Sequence, residues 1–259
     1  MIQLRSDREI KLMRKAGIVV WQALQAAGQV VKPGITTLEI DAAVESVFQQ
    51  HNAEPLFKGV PGKVPFPAAT CVSVNEQVVH GIPGRRKLRE GDIVSIDTGC
   101  RLEGWCGDSA WTFAVGRISP EVQKLMDVTL QSLELAIEIV GKRQRWSQVA
   151  AEISDYIRSH GYSVVESMSG HGVGRELHES PQYPNYVNTK IKEDDVILRT
   201  GLVIAIEPMV NLGKKDTRVL NDHWTIAASD GKPSAHFEHT VALTKDGPVR
   251  LTSAPLPGE

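Results

Sequence analysis

The sequence predicts a mixed α/β protein built from two similar halves, and three observations carry that prediction. Apolar residues recur at helical spacing in four segments, two in each half. Apolar runs bounded by glycine and proline separate them and read as strands. The second half also echoes the first: LREGDIVSID (Leu88–Asp97) matches LRTGLVIAIE (Leu198–Glu207), each an aliphatic run that closes on an acid.

The echo extends further. Asp108-Ser109-Ala110-Trp111-Thr112-Phe113 parallels Glu238-His239-Thr240-Val241-Ala242-Leu243, and HGIPG at His80 parallels HGVGR at His171. Ile40, Val44, Phe48 and His51 align with Val149, Ile153, Ile157 and His160. Two copies of about 110 residues imply a pseudo-twofold domain rather than a solenoid. The competing explanation is chance likeness between two amphipathic hairpins. The expected organisation is a single domain over 1–259, with halves near 1–118 and 119–252 and a loose tail at 253–259.

Taken in order, Ser6 with Glu9 forms a capping box for a first helix striped by Ile10, Met13, Gly17, Val20, Trp21 and Leu24. Lys32-Pro33-Gly34 ends it, and Thr36 with Glu39 opens a second helix. Ala53 to Ala69 is rich in proline and glycine and reads as loop, followed by one strand from Cys71 to Val79. Gly91 to Phe113 reads as a hairpin turning at Gly99 and Gly104. Ser119-Pro120-Glu121 starts the third helix, with proline at the tolerated first position. The fourth spans about Ser147 to His160 and stops at Gly161. A strand, a glycine hairpin (Gly170 to Gly174), a long loop and strands near Gly201–Val210 and His236–Leu243 complete the chain.

The acids carry the chemistry. Asp97 ends one apolar run and Asp108 opens the next, where an unpaired charge would cost several kcal/mol. The echo adds Glu207 and Glu238, so a pseudo-axis would gather four carboxylates at one point. They would repel one another unless cations compensate. With the glycine-flanked His171 they make a hard, oxygen-rich site that favours Mn, Fe(II), Co or Zn over a thiolate zinc site. Two cations about 3.5–4 Å apart would turn a shared water into a nucleophile and polarise a carbonyl. Asp-Thr-Gly is also a good turn on its own, and Glu238 lies beside His236 and His239, either of which is a rival ligand. The repeat, which pairs Glu238 with Asp108, decides for the glutamate. His51, His160 and His223 read as surface.

Composition narrows the class. Twenty-nine Lys+Arg against 31 Asp+Glu give neither a nucleic-acid stripe nor an acidic tail. Cys71, Cys100 and Cys106 form no C-x-x-C, so a disulfide framework is not expected and a reducing cytoplasm is the natural compartment. The charged N-terminus lacks a signal-peptide core, and no run approaches the roughly 20 apolar residues of a membrane helix. H-E-x-x-H, G-x-S-x-G and G-x-x-x-x-G-K-[ST] motifs are all missing.

DTG at Asp97, GDSA at Asp108, GHGVGRELHE from Gly170, IEPM at Glu207 and FEHT at Glu238 together resemble type I methionine aminopeptidases, supported by SVNEQVVHGIP (Ser73–Pro83) and Trp224. The resemblance implies an α/β (α+β) pita-bread fold, a curved antiparallel sheet backed by two helix pairs. It implies two divalent metal ions: Asp97 on one, Asp108 and Glu238 bridging, His171 and Glu207 on the other. The bridging hydroxide would attack the first peptide carbonyl, with Glu207 shuttling protons, His178 polarising the carbonyl and His80 at the scissile amide. Phe66, Cys71, Leu177 and Trp224 would form a methionine pocket suited to a thioether. The expected substrates are peptide and nascent-protein N-termini with a small second residue, met near the ribosome by a cytoplasmic monomer without nucleic-acid or membrane binding. No Cys/His-spaced extension supports zinc-finger docking there.

Two departures from the family bear on the pocket's shape. The stretch before Cys71 reads FKGVPGKVPFP rather than being Tyr-rich, and Leu177 replaces a usual aromatic. The rivals are an Xaa-Pro peptidase, which shares fold and ligands, and a metal-free binding protein of the same fold.

Overall fold

The structure is a computed structural model that describes residues 2–189, 191, 194–256 and 258. Its first half contains helices α1 (Asp7–Val30) and α2 (Thr37–Gln50), then strands β1 (Glu54–Pro55), β2 (Thr70–Val74), β3 (Gln77–Val79), β4 (Ile93–Leu102) and β5 (Trp105–Ala114). Helices α3 (Pro120–Val140) and α4 (Trp146–Ser159) follow, with strands β6 (Ser163–Val164), β7 (Gly170–Gly172), β8 (Glu179–Tyr183), β9 (Val203–Ile206) and β10 (Met209–Asn211). The chain closes through β11 (Thr217–Val219), β12 (Ile226–Ala228), β13 (Ser234–His236), β14 (His239–Thr244) and β15 (Gly247–Arg250).

The helix starts follow from local chemistry. Ser6 and Thr36 both complete capping boxes: the hydroxyl accepts from the amide three residues on, and the Glu9 or Glu39 carboxylate accepts from the cap amide. Ser119 caps α3 with Pro120 in its first turn. Helix α4 begins one residue before expectation. Gln148 Oε1 accepts from the amides of Gln144 and Arg145, while Ser147 is tied to Asp195.

All strand pairing is antiparallel among the described residues. One sheet runs β1-β4-β2 with β5 on the other flank of β4, another runs β15-β14-β9-β7-β8, and β13-β10-β6 and β11-β12-β3 form two smaller ones. Helices α1 and α2 cover the first sheet, burying Val20, Leu24, Ile40 and Phe48 with Val72, Val94 and Ile96. Helices α3 and α4 bury Leu125, Leu133 and Ile153 with Ile204, Ile206 and Val241. A further cluster of Met13, Trp105, Val203, Ala242 and Leu251 spans both halves. There a Cβ on Gly17 would lie 2.1 Å from the Leu251 carbonyl oxygen, so only glycine lets α1 approach this closely.

Strands β5 and β14 are stitched together where the acids lie. The Glu238 amide donates to Ala110 O at 2.9 Å, Thr240 Oγ1 donates to Asp108 O at 2.7 Å, and Ser109 Oγ donates to Glu238 O at 2.6 Å. The backbone groups and hydroxyls bonded across this seam thereby find partners away from water.

Several expectations need correction. The strand expected from Cys71 to Val79 is two strands, broken at Asn75, whose φ is 56° and whose side chain bonds Asp92 and the Ile93 amide. The loop from Ala53 to Ala69 contributes β1 to the sheet. Gly170 to Gly174 is not a hairpin: Gly170–Gly172 is an interior strand between β8 and β9, where a Cβ on Gly170 would strike Ala205 O at 2.3 Å. The long loop after it carries β8, and Pro208 splits the strand expected near Gly201–Val210. The tail is held at its start, since Arg14 donates to Leu251 O at 2.8 Å, Ser253 O at 2.9 Å and Ala254 O at 2.7 Å.

Candidate metal centre

One cavity of about 420 Å³ receives every residue singled out from the sequence: the acids, His80, His171, His178 and the four pocket residues. Asp97 and Asp108 stand on neighbouring strands of one hairpin, Asp97 opposite Ala110 and Asp108 opposite Gly99. Glu207 directly follows β9, and Glu238 precedes β14, whose His239 pairs with Ile206. Glycine-flanked β7 inserts His171 beside them, opposite Ala205.

Ligand atoms of Asp108, His171 and Glu238 all lie within 4.8 Å of one another. His171 Nε2 is 3.5 Å from Asp108 Oδ2 and 3.5 Å from Glu207 Oε1. Its Nδ1 sits 3.0 Å from the Gly172 carbonyl, which fixes the ring and turns Nε2 toward the acids.

The electrostatics are those of acids crowded out of water. Burial, then Asp108 and Glu207, push the Asp97 carboxyl well above the usual range. Burial does the same to Glu238, reinforced by Asp108, Glu207 and Asp97. Glu207 rises to about 8 because burial and Asp108 outweigh the opposing His171. For His171 burial works against the charged ring, yet the Asp108 hydrogen bond and the Glu207 charge lift it to about 9.

Asp97 Oδ1, Asp108 Oδ1 and Glu238 Oε1 are sealed from solvent without a hydrogen-bond partner. Three orphaned carboxylate oxygens in one cavity, with an imidazole nitrogen facing two acids, are a donor set that fits a divalent cation. The buried Asp108–His171–Glu238 group could therefore hold a metal.

Beside the acids the cavity turns apolar. Phe66, Cys71, Leu177 and Trp224 pack together with Phe57 and Val60. Cys71 faces Asp97 in register across β2 and β4. Phe66 meets Trp224 edge-on at 5.2 Å, and Trp224 Nε1 donates to Val64 O at 2.7 Å. His80 lines the same cavity at φ 60°, a left-handed conformation uncommon for residues other than glycine. Burial and the neighbouring His178 lower its pKa to about 4. His178 opens to solvent at the mouth, its ring 4.2 Å from that of His171.

Phe57 and Val60 were not legible, because a Gly/Pro-rich loop shows no periodicity. His236 was legible only as a rival ligand; its Nε2 lies 3.7 Å from Glu207 Oε2. His51, His160 and His223 are exposed, as read.

The sequence pattern of metallopeptidase family M24 matches residues 11–245. The chain belongs to this family. Curated relatives include the methionine aminopeptidase of Clostridium perfringens, 45% identical over 97% of this chain and 99% of its own, and methionine aminopeptidase 1 of Bacillus subtilis, 44% identical over 95% and 97%. Among solved structures, the methionine aminopeptidase of Thermotoga maritima superposes with a TM-score of 0.92 at 42% identity, covering 98% of this chain and all of its own. The prolidase of Pyrococcus furiosus shares the fold at a TM-score of 0.77 and 23% identity, with 66% of its length covered. The pita-bread α/β architecture expected from the sequence is thus the fold of this M24 chain. Among the described residues no helix is long and apolar enough to cross a membrane.

Proposed function

We propose that the chain is a methionine aminopeptidase that removes N-terminal methionine by metal-dependent hydrolysis, favouring a small second residue. The observation that supports this most is one cavity joining a buried cluster of acids and imidazole to an apolar, sulfur-tolerant pocket. Asp97, Asp108, His171, Glu207 and Glu238 would hold two divalent ions, drawn from cobalt, manganese, iron or zinc. When bound, such a pair supplies Lewis acidity and lowers the pKa of water enough for attack near neutral pH.

The chain's own residues do the rest. Phe66, Leu177 and Trp224 exclude water from the methionine side chain, and Cys71 offers a soft contact to its thioether. His178 at the mouth donates to the first peptide carbonyl as negative charge develops on it. His80, neutral because its pKa is low, donates an N–H to the scissile amide. Glu207, ionised once metal is bound, takes a proton from the attacking water and passes it to the departing amine. The partners are peptide and nascent-chain N-termini, met near the ribosome by a cytoplasmic monomer.

Parallel assays of Met-Ala-Ser and Ala-Pro-Ala, with and without chelator, test the reading. Chelator-sensitive cleavage of the first peptide alone is expected. Preference for Ala-Pro-Ala would place the chain with the Xaa-Pro peptidases, and cleavage of neither would favour a binding protein.

A further inference from the structure

His236 is 1% exposed, and both of its ring nitrogens are sealed from solvent without a hydrogen-bond partner. A polar ring buried this way is costly, and an apolar side chain of similar size would fill the space without that cost. The ring's Nε2 lies 3.7 Å from Glu207 Oε2. The other oxygen, Oε1, is 3.5 Å from His171 Nε2. The Glu207 carboxylate is therefore bracketed by two imidazoles, one on each oxygen.

Both backbones at this contact are fixed. The His236 amide donates to Thr112 Oγ1 at 3.0 Å, and its carbonyl accepts from the same hydroxyl at 2.7 Å. His236 pairs with Met209 across β13 and β10, just beyond Glu207, whose own carbonyl accepts from Asn185 Nδ2 at 3.0 Å. What remains soft is the terminal torsion of the carboxylate, which is broad. A turn of that torsion toward Nε2 would shorten the 3.7 Å gap toward hydrogen-bond range. A neutral imidazole has one N–H to give, and Glu207, once ionised, can only accept.

We propose that His236 is a positioning residue for Glu207: it holds the Oε2 edge of the carboxylate from behind, so that Oε1 stays turned into the cavity beside His171. This rests on the reading of Glu207 as a metal-holding, proton-moving acid. Residues behind a ligand that fix its orientation in this way change metal affinity or turnover without touching the ion.

The test compares His236→Leu, which removes the donor at similar volume, with His236→Gln, whose amide N–H still reaches forward. Metal-free protein is titrated with Co(II) while its d–d absorption is followed, and kcat and KM are measured separately on Met-Ala-Ser. For His236→Leu the account expects an altered Co(II) spectrum and a roughly 10–100-fold loss in Co(II) affinity or kcat, with KM changed less than about threefold. His236→Gln should recover to within about threefold of the parent. A leucine variant with the parent's spectrum, affinity and kcat overturns the proposal, as does a glutamine variant as impaired as the leucine one. If the leucine variant does not fold, His236→Asn replaces it: one methylene shorter than glutamine, it should fall short of Oε2 and lose what glutamine keeps, and equal behaviour of the two amides overturns the proposal. The Co(II) titration stands even if the parent fails to cleave Met-Ala-Ser, an outcome that would count against the proposed function instead.

Discussion

Asp97 and Asp108 reach the cavity on one uninterrupted hairpin, whereas Glu207 and Glu238 reach it from strand ends separated by the excursion Pro208 to Phe237. In the first half ten consecutive pairs, Ile93–Ala114 to Leu102–Trp105, lock the two aspartates to a single rigid frame. In the second half β9 and β14 share four pairs, and the chain between them builds β10 to β13. That excursion carries Trp224 to the apolar end of the cavity and His236 to the back of Glu207. The first half thus holds its acids on a fixed platform, and the second half adds to its platform the apolar wall of the cavity.

The sharpest way to break this comparison is to neutralise the platform. Asp108→Asn should remove several kcal/mol of transition-state stabilisation, about a thousandfold in kcat/KM. The hairpin should survive, because Asp108 is tied to the seam through its backbone. Peptide hydrolysis and a thermal melt check the two halves of that statement. Near-parental turnover would mean that the first hairpin is not the platform.

Altering the excursion should do something different. Trp224→Ala opens the apolar end and removes an edge-on contact with Phe66. The loss expected for peptides beginning with methionine is roughly 10–200-fold in kcat/KM, with Co(II) binding unchanged. Equal loss of metal binding would show that wall and platform are not separable.

The junction between the halves offers a stability test. Gly17→Ala places a methyl against the Leu251 carbonyl, a clash with backbone rather than with a flexible side chain. A cost of about 1–3 kcal/mol in denaturant unfolding is expected. An unchanged midpoint would mean that α1 is free to withdraw from the second half.

The smallest effect concerns pH. The Glu207 carboxyl titrates near 4.5 when unfolded and at about 8 when folded, so between these values the folded metal-free chain holds the extra proton. Its stability therefore falls as pH rises through that window, and raised Asp97 and Glu238 add in the same direction. Bound metal displaces those protons. The rise in melting temperature on adding metal should accordingly grow, by a few °C, between about pH 5 and pH 8. His80 works oppositely: its pKa is lowered to about 4, so it removes stability as pH falls below 6.5, with or without metal. A metal effect that shrinks toward pH 8 would contradict the account.

Much of the platform was legible in the sequence. Acids closing apolar runs violate the expectation that buried strands carry apolar residues, and the repeat showed that the violation occurs twice. Capping boxes at Ser6 and Thr36 and the proline after Ser119 placed three helix starts for the same reason: their chemistry is local. The walls were less legible. Phe57 and Val60 lie in a loop whose place is set by distant Trp224 and Leu177. The break at Asn75 depends on Asp92, the anchoring of the tail depends on Arg14, and the interior position of β7 depends on β9. Such long-range partners leave no periodic trace in the chain.

Counting metal ions against activity tests the central claim most directly. Metal-free chain would be titrated with Co(II) while Met-Ala-Ser hydrolysis is followed on the same sample. The account predicts no hydrolysis at the outset, recovery as ions bind, and saturation at two per chain. Full hydrolysis by the metal-free protein, or saturation with Co(II) that brings none, would contradict it.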